Sequence, residues 1–325
     1  METVRPILRP RVVPHWVLRA AISTAVLAYI AYDVDHADLR VALSAVSVRD
    51  LVLPLVLFLA GQVLSAVKWW LIGSSVGLDR PLVNYVRFYF VGIFVNVFGF
   101  STIGGDLARG LYLSDGRDPA LGIDSVVFDR MSGLAILMAL GAIALLSFPQ
   151  YHLPSALNAA LVAGGLGLVV AWWTCPRLVR LLPSGNRLRR AVEHDLAPLW
   201  RDRVLLAQIG ALSAVFHLSQ VAVQYLLARA AGTPIPFSYC MVMHPALSLM
   251  VALPLSVGGF GVREGGYLYF LTGIGVDDSI AVTMGLLWWL MTALSGAVGA
   301  LTFVASGAHL PRLRPRAVER VCGAG

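Results

Sequence analysis

Five stretches of the chain, 51 to 72, 123 to 148, 156 to 175, 204 to 228 and 279 to 305, are continuous apolar runs, each near or above the roughly 20 residues a helix needs to cross a hydrocarbon core. No other feature restricts the fold as strongly. A backbone in lipid must satisfy its own amides and carbonyls, which leaves helices or closed barrels, and runs of this length select helices. A sixth run, Trp16 to Tyr32, follows a basic N-terminus and reads as a signal anchor, because no clear small-x-small cleavage site precedes Asp33. With 58% hydrophobic and 13% charged residues, the chain has too little polar surface to coat a soluble globule. The expectation is one transmembrane domain of the all-α polytopic class.

Two further runs, 82 to 100 and 237 to 257, are long enough to span, yet each ends in a glycine-rich, charge-bearing break. The distribution of Lys and Arg decides what they do, because cytoplasmic connections collect these residues. Arginines crowd the N-terminus (Arg5, Arg9, Arg11, Arg19), the 176 to 203 connection (Arg177, Arg180, Arg187, Arg189, Arg190, Arg201, Arg203) and the C-terminal tail (Arg312, Arg314, Arg316, Arg320). The connections at 149 to 155, 231 to 237 and 271 to 278 have neither Lys nor Arg. Were 82 to 100 a simple span, every later segment would invert and the arginine-rich connection would face outward. Parity therefore makes 82 to 113 and 237 to 275 re-entrant or broken helical hairpins entering from opposite faces, beside about six full spans, in the cell's inner (cytoplasmic) membrane with both termini cytoplasmic. The net charge of +7 is thereby accounted for in the loops, with no nucleic-acid partner implied.

Shifting the chain against itself by 154 residues places Gly104, Gly105 and Arg109 on Gly258, Gly259 and Arg263, with the spacing GGxxxR kept. The same shift pairs Leu51 with Leu205, Leu64 and Ser65 with Leu218 and Ser219, Val67 with Val221, and Tyr85 with Tyr239. Phe100 falls on Pro254, a departure that alters the bend of the first hairpin. Repeat one covers about 50 to 148, a linking helix 156 to 175, and repeat two about 204 to 305. Because one extra span joins them, the second unit lies upside down relative to the first. An inverted repeat with broken helices is the pattern of alternating-access carriers, whose sites lie between repeats near the midplane.

Irregular backbone at membrane depth is tolerated where it is buried in protein or lines a wet cavity, so Gly104, Gly105, Gly258 and Gly259 are expected either to line a cavity or to form a packing seam. Helices starting after such breaks aim amides at an anion, and Arg109 and Arg263 suit a phosphate, which guanidinium grips bidentately. Arg263 with its neighbour Glu264 reads equally as a self-neutralising ion pair, since intramembrane charges are usually paired. Asp129 and Arg130 lie about two turns into their span, within reach of the interface, and Asp106 is placed to pair with Arg109 or Arg130. Lys68, beside Trp69 and Trp70, reads as an interfacial anchor. His217, Gln220 and Gln224 form a polar stripe at helical spacing, and His244 before Pro245 marks a kink. Asp33, Asp35 and Asp38 read as a solvated connector rather than a metal site. Cys175, Cys240 and Cys322 are scattered without paired spacing, which suggests neither a disulfide framework nor zinc.

The segments "GFSTIGGDLARGLYL", "VVFDRMSGL" and "LPLSVGGFGVREGGYLYFL" resemble three signature blocks of the lysylphosphatidylglycerol synthase transmembrane family, also described as flippase-like membrane proteins. The resemblance runs from about residue 16 to 305 and is most specific at "GGFGVREG". It implies a lipid-translocating module, in some members fused to a soluble aminoacyl-transferase domain. Residues after 305 are too few for such a domain, so aminoacyl transfer is not implied. The expected function is translocation of an anionic, glycosylated or isoprenoid lipid between leaflets, with Arg109, Arg263, Glu264, Asp106, Asp129 and Arg130 at the substrate site. The alternatives are a membrane-embedded transferase and a non-catalytic partner of a lipid-modifying enzyme. No nucleophile with a neighbouring base, Walker loop or zinc motif is found, so no enzyme activity, cofactor or metal is expected.

Overall fold

The computed structural model describes residues 15–99, 104–115, 118–151, 153–252 and 259–305. Among these the chain is helical and contains no strand. Helix α1 (His15–Asp33) is followed by a short α2 (His36–Ala45), whose first amides are capped by Asp35, Oδ1 accepting from Ala37 at 2.7 Å. The first set of apolar helices is α3 (Val48–Ser75), α4 (Leu82–Phe98), α5 (Gly104–Ser114) and α6 (Pro119–Ser147). After α7 (Ser155–Leu178) come two short helices, α8 (Arg187–Arg190) and α9 (Ala197–Arg201). The second set is α10 (Arg203–Ala230), α11 (Phe237–Ala252), α12 (Val262–Thr272) and α13 (Asp278–Ala305).

Among the described residues five helices, α3, α6, α7, α10 and α13, are long and apolar enough to cross a bilayer. The bundle has an apolar core into which polar stripes are set, and an apolar outer surface. On α3 the inward stripe Phe58, Gln62, Ser65, Trp69, Ile72 repeats every three to four residues and includes polar groups, while Val52, Leu53, Val56 and Val63 stand exposed. Helix α10 does the same, with Ile209, Ser213, His217, Gln220, Gln224 and Leu227 buried and Val204, Val215 and Leu218 outward. Water would reverse that arrangement; lipid rewards it, because an apolar surround gives apolar side chains no reason to turn inward while buried polar groups find one another.

The two sets pack by exchange of equivalent partners. Helix α3 lies along α10; α4 packs on α13, and its counterpart α11 packs on α6, the counterpart of α13. Within each set the first helix meets the second, and the third meets the fourth, so α5 lies on α6 and α12 on α13. Glycine makes the crossings close: a Cβ on Gly299 of α13 would strike the Phe90 carbonyl of α4, and one on Gly141 of α6 would lie 2.8 Å from Pro245 of α11.

Helices α4 and α5 form one hairpin and α11 and α12 the other. With 11 residues each, α5 and α12 are about 16 Å long, half a hydrocarbon core. Gly105 sits so close to Gly92 that any side chain would collide with its carbonyl, and its amide donates to Asn96 Oδ1 at 2.8 Å. In the second hairpin, Gly259 (φ +86°) and Gly261 (φ +84°) occupy left-handed backbone just before α12, a conformation glycine adopts without a Cβ penalty. Phe100 and Pro254 lie outside the described residues.

The arginine-rich connection is folded. Leu196 and Leu199 are buried beneath an aromatic cluster of Phe128, Trp172 and Trp200. Arg189 Nε donates to Glu193 at 2.7 Å, a bond that holds the Glu193 carboxyl below the usual glutamate range, and Arg187 approaches Asp124 of α6 at 3.7 Å.

Candidate functional site: a charged core and the cavity beside it

Three helices deliver a buried ion cluster. Asp129 of α6 is 3% exposed and serves two cations: Lys68 Nζ of α3 lies 3.0 Å from Oδ1 and Arg109 Nη2 of α5 lies 2.9 Å from Oδ2. Lys68 also donates to the Asp129 backbone carbonyl at 2.9 Å. The Arg109 guanidinium rests on the rings of Trp69 and Tyr89, both 4.9 Å away, and those rings are themselves pinned, Trp69 Nε1 donating to Ser125 and Tyr89 OH to Ser65. Asp106 extends the chain outward, approaching Arg109 Nε at 3.2 Å and accepting two hydrogen bonds from Arg130 at 2.8 and 2.9 Å. A charge this deep survives only with its counter-charges in hydrogen-bonding contact.

Beside this cluster lies a cavity of about 480 Å³, bounded by α3, α4, α6, α10, α11, α12 and α13, within the size range of ligand pockets. Arg130 reaches it from the first set of helices and Arg263 from the second; its neutral polar lining includes Gln62, Asn96, His217, Gln220, Gln224 and His244. His217 Nε2 lies 3.0 Å from the Gly133 carbonyl, and its ring is 6.0 Å from that of His244. Gln224 donates to Tyr267 at 3.0 Å. The Arg263 amide donates to the Gly259 carbonyl at 3.0 Å, while its guanidinium has no hydrogen bond or ion pair among the described residues. Four cations (Lys68, Arg109, Arg130, Arg263) stand against three carboxylates (Asp106, Asp129, Glu264), so the region has room for one more negative charge.

The expected site residues thus divide. Asp106, Arg109, Asp129 and Arg130 are brought together, and Asp106 meets both arginines rather than one of them. Arg109, expected at a phosphate, is 1% exposed and already committed to Asp129 and Asp106; of this group Arg130 is the one that reaches the cavity. Arg263 and Glu264 do not pair with each other. Glu264 Oε2 accepts from the Gly261 amide at 2.8 Å and so caps α12, which leaves its neighbour free. The first turn of each short helix holds its own carboxylate, Asp106 or Glu264, in the position anticipated for a ligand anion. Gly104 and Gly105 are the first residues of α5 rather than an irregular break, and Gly105 belongs to a packing seam, since its Cβ position is filled by α4. Gly259 abuts Val251 and the Arg263 guanidinium; Gly258 lies outside the described residues.

Lys68 departs from the anchor role: it is 5% exposed and neutralised by Asp129. Its register offered a signal, because Lys68 follows Ser65 and Gln62 at helical spacing on the inward stripe. His244 lines the cavity, and α11 carries Pro245 within it. Asp35 is a helix cap.

Comparison with curated proteins gives no match. The family model described as Lysylphosphatidylglycerol synthase TM region matches residues 16–299, which takes in every helix described above except the first residue of α1 and the last turns of α13. The chain therefore belongs to the lysylphosphatidylglycerol synthase transmembrane-region family of multi-pass membrane proteins.

Proposed function

We propose that this chain is a lipid carrier that moves the polar head of an anionic, glycosylated or isoprenoid lipid between leaflets by alternating access, with the α4–α5 and α11–α12 hairpins as opposed re-entrant gates. Membership in the family suggests lipid metabolism or transport; the carrier reading goes further. The observation that carries it is the cavity shared by both helix sets, with the Arg263 guanidinium at its wall and without an ion-pair partner among the described residues. A half-buried guanidinium at a cavity wall attracts an anionic headgroup. The exchanged packing of α4 on α13 and α11 on α6 supports an inverted repeat, and with it a second conformation in which the two hairpins trade environments. In this reading the protein sits in the cell's inner membrane with both termini cytoplasmic, and the arginines of the α7–α10 connection face the anionic leaflet.

The experiment is reconstitution into liposomes carrying fluorescent phospholipids, scored for leaflet exchange. Wild type is expected to exchange lipid faster than empty liposomes, and Arg263→Gln to fall toward that background while remaining folded. Wild-type exchange equal to that of empty liposomes sinks the reading. A covalently altered lipid in the same vesicles would favour a transferase, and neither exchange nor alteration would favour a non-catalytic partner of a lipid-modifying enzyme.

A further inference from the structure

The ion cluster has two layers of different character. Lys68, Arg109 and Asp129 form a dry one, each side chain 6% exposed or less, and separating such a pair from one side is strongly destabilising. Asp106 and Arg130 form a wet one. Arg130 donates Nε to Asp106 Oδ2 at 2.9 Å and Nη2 to Oδ1 at 2.8 Å, yet half of the arginine side chain is exposed, and pairs open to solvent contribute little net stability. The two carboxylate oxygens offer this guanidinium the same bidentate fork that a phosphate offers.

Of this cluster, Arg130 is the member that lines the cavity, where Arg263 is the cation from the second helix set. Held on Asp106, Arg130 leaves the cavity one uncommitted guanidinium; released, it makes a second. Release leaves Asp106 with a partner, because its Oδ1 also lies 3.2 Å from Arg109 Nε. Nor does release free α5 from α6. The dry layer still joins them, as does a crossing so close that a Cβ on Gly122 would strike the Gly110 carbonyl.

We infer that Asp106 is a built-in competitor for the substrate anion: it holds Arg130 when no anion is bound, the phosphate of a lipid headgroup displaces it, and its return to Arg130 promotes release of the headgroup. Asp106 is thus a positioning residue that sets affinity through Arg130 without touching the lipid. The release step rests on the carrier reading, whereas the competition is measurable by binding alone. The purified full chain is titrated with dioctanoyl phosphatidylglycerol, and bound lipid is read by native mass spectrometry. Asp106→Asn is expected to raise retention about fivefold, which corresponds to about 1 kcal/mol, the upper worth of an exposed pair; Asp106→Ser makes the same comparison should the Asn variant not fold. Arg130→Gln should lower retention, and adding Asp106→Asn to it should give no gain, because the competitor acts through that arginine. Uncharged dioctanoylglycerol should gain nothing from Asp106→Asn, and free glycerol phosphate should be held more weakly than the lipid. Unchanged or weaker retention in the Asp106 variants, a gain that persists in the Arg130→Gln background, an equal gain for dioctanoylglycerol, or glycerol phosphate held as tightly as the lipid overturns the inference. The predicted gain with no leaflet exchange by the wild type would remove the carrier reading and leave the competition standing; wild-type exchange with no gain in Asp106→Asn would do the reverse.

Discussion

Replacing Asp129 by Asn isolates the energetic role of the charged core. The carboxylate lies 3.0 Å from Lys68 and 2.9 Å from Arg109, and the three side chains are 3%, 6% and 2% exposed. Asn keeps the shape and one acceptor oxygen but removes the charge that makes two buried cations tolerable. Breaking a buried pair from one side costs about 3–5 kcal/mol, which lowers the folding equilibrium constant by roughly two to nearly four orders of magnitude. Asp106→Asn acts on a carboxylate 22% exposed whose main partner Arg130 is 50% exposed, so solvent screening holds its cost to about 1 kcal/mol. The assay is reversible unfolding in mixed micelles by dodecyl sulfate titration, followed by far-ultraviolet circular dichroism. Adding Lys68→Met to Asp129→Asn should restore part of the lost stability, because one orphaned cation goes. Should Asp129→Asn fall within about 1 kcal/mol of wild type, or cost no more than Asp106→Asn, the claim that this cluster is dry and mutually neutralised is wrong.

Arg263→Gln should lose lipid exchange while unfolding at about the same denaturant concentration, since the guanidinium has no hydrogen bond or ion pair among the described residues to lose; a clear drop in stability would show that the guanidinium is structural. Gly105→Val should destabilise severely or prevent folding, because its Cβ meets the Gly92 carbonyl, whereas Gly167→Ala, where a Cβ meets nothing within 4 Å, should be neutral or stabilising by up to about 1 kcal/mol from helix propensity; thermal melts of both variants distinguish packing from a general intolerance of side chains. Glu193 is held below the usual glutamate range by its bond to Arg189, so its contribution is present above the ordinary value near 4.3 and fades as pH falls through the folded one. Protection from hydrogen exchange across 187–195, corrected for the intrinsic pH dependence of amide exchange, should fall at acidic pH, and Glu193→Gln should flatten that dependence.

Much of this was legible in residues alone. Periodicity located the long helices to within a few residues at most ends, because apolar runs in lipid have one way to satisfy their backbone. The match of GGxxxR at 104 and 258 pointed to paired hairpins, and charge proximity in sequence singled out Asp106, Arg109, Asp129 and Arg130. Lys68 was read as an anchor because it stands beside Trp69 and Trp70 near the end of its span, although its spacing from Gln62 and Ser65 put it on the inward stripe of α3. Glu264 looked like the partner of Arg263 because adjacency along the chain suggests pairing, whereas residues i and i+1 point to different sides of a helix and the α12 cap claimed the carboxylate.

What the sequence by itself determined is therefore the class of the fold and the stock of charges inside it: apolar length sets helices in a bilayer, and ionisable residues within those helices must find partners or ligands. Which charges partner each other was decided only by tertiary structure. Packing of α3, α5 and α6 consumed Arg109, Asp129 and Lys68 in one neutralising cluster, while the α12 cap separated Glu264 from Arg263 and left that arginine facing the cavity. Counter-charge is assigned by distance in three dimensions, because Coulomb attraction and hydrogen bonding act over a few ångströms, and the chain's order does not encode those distances.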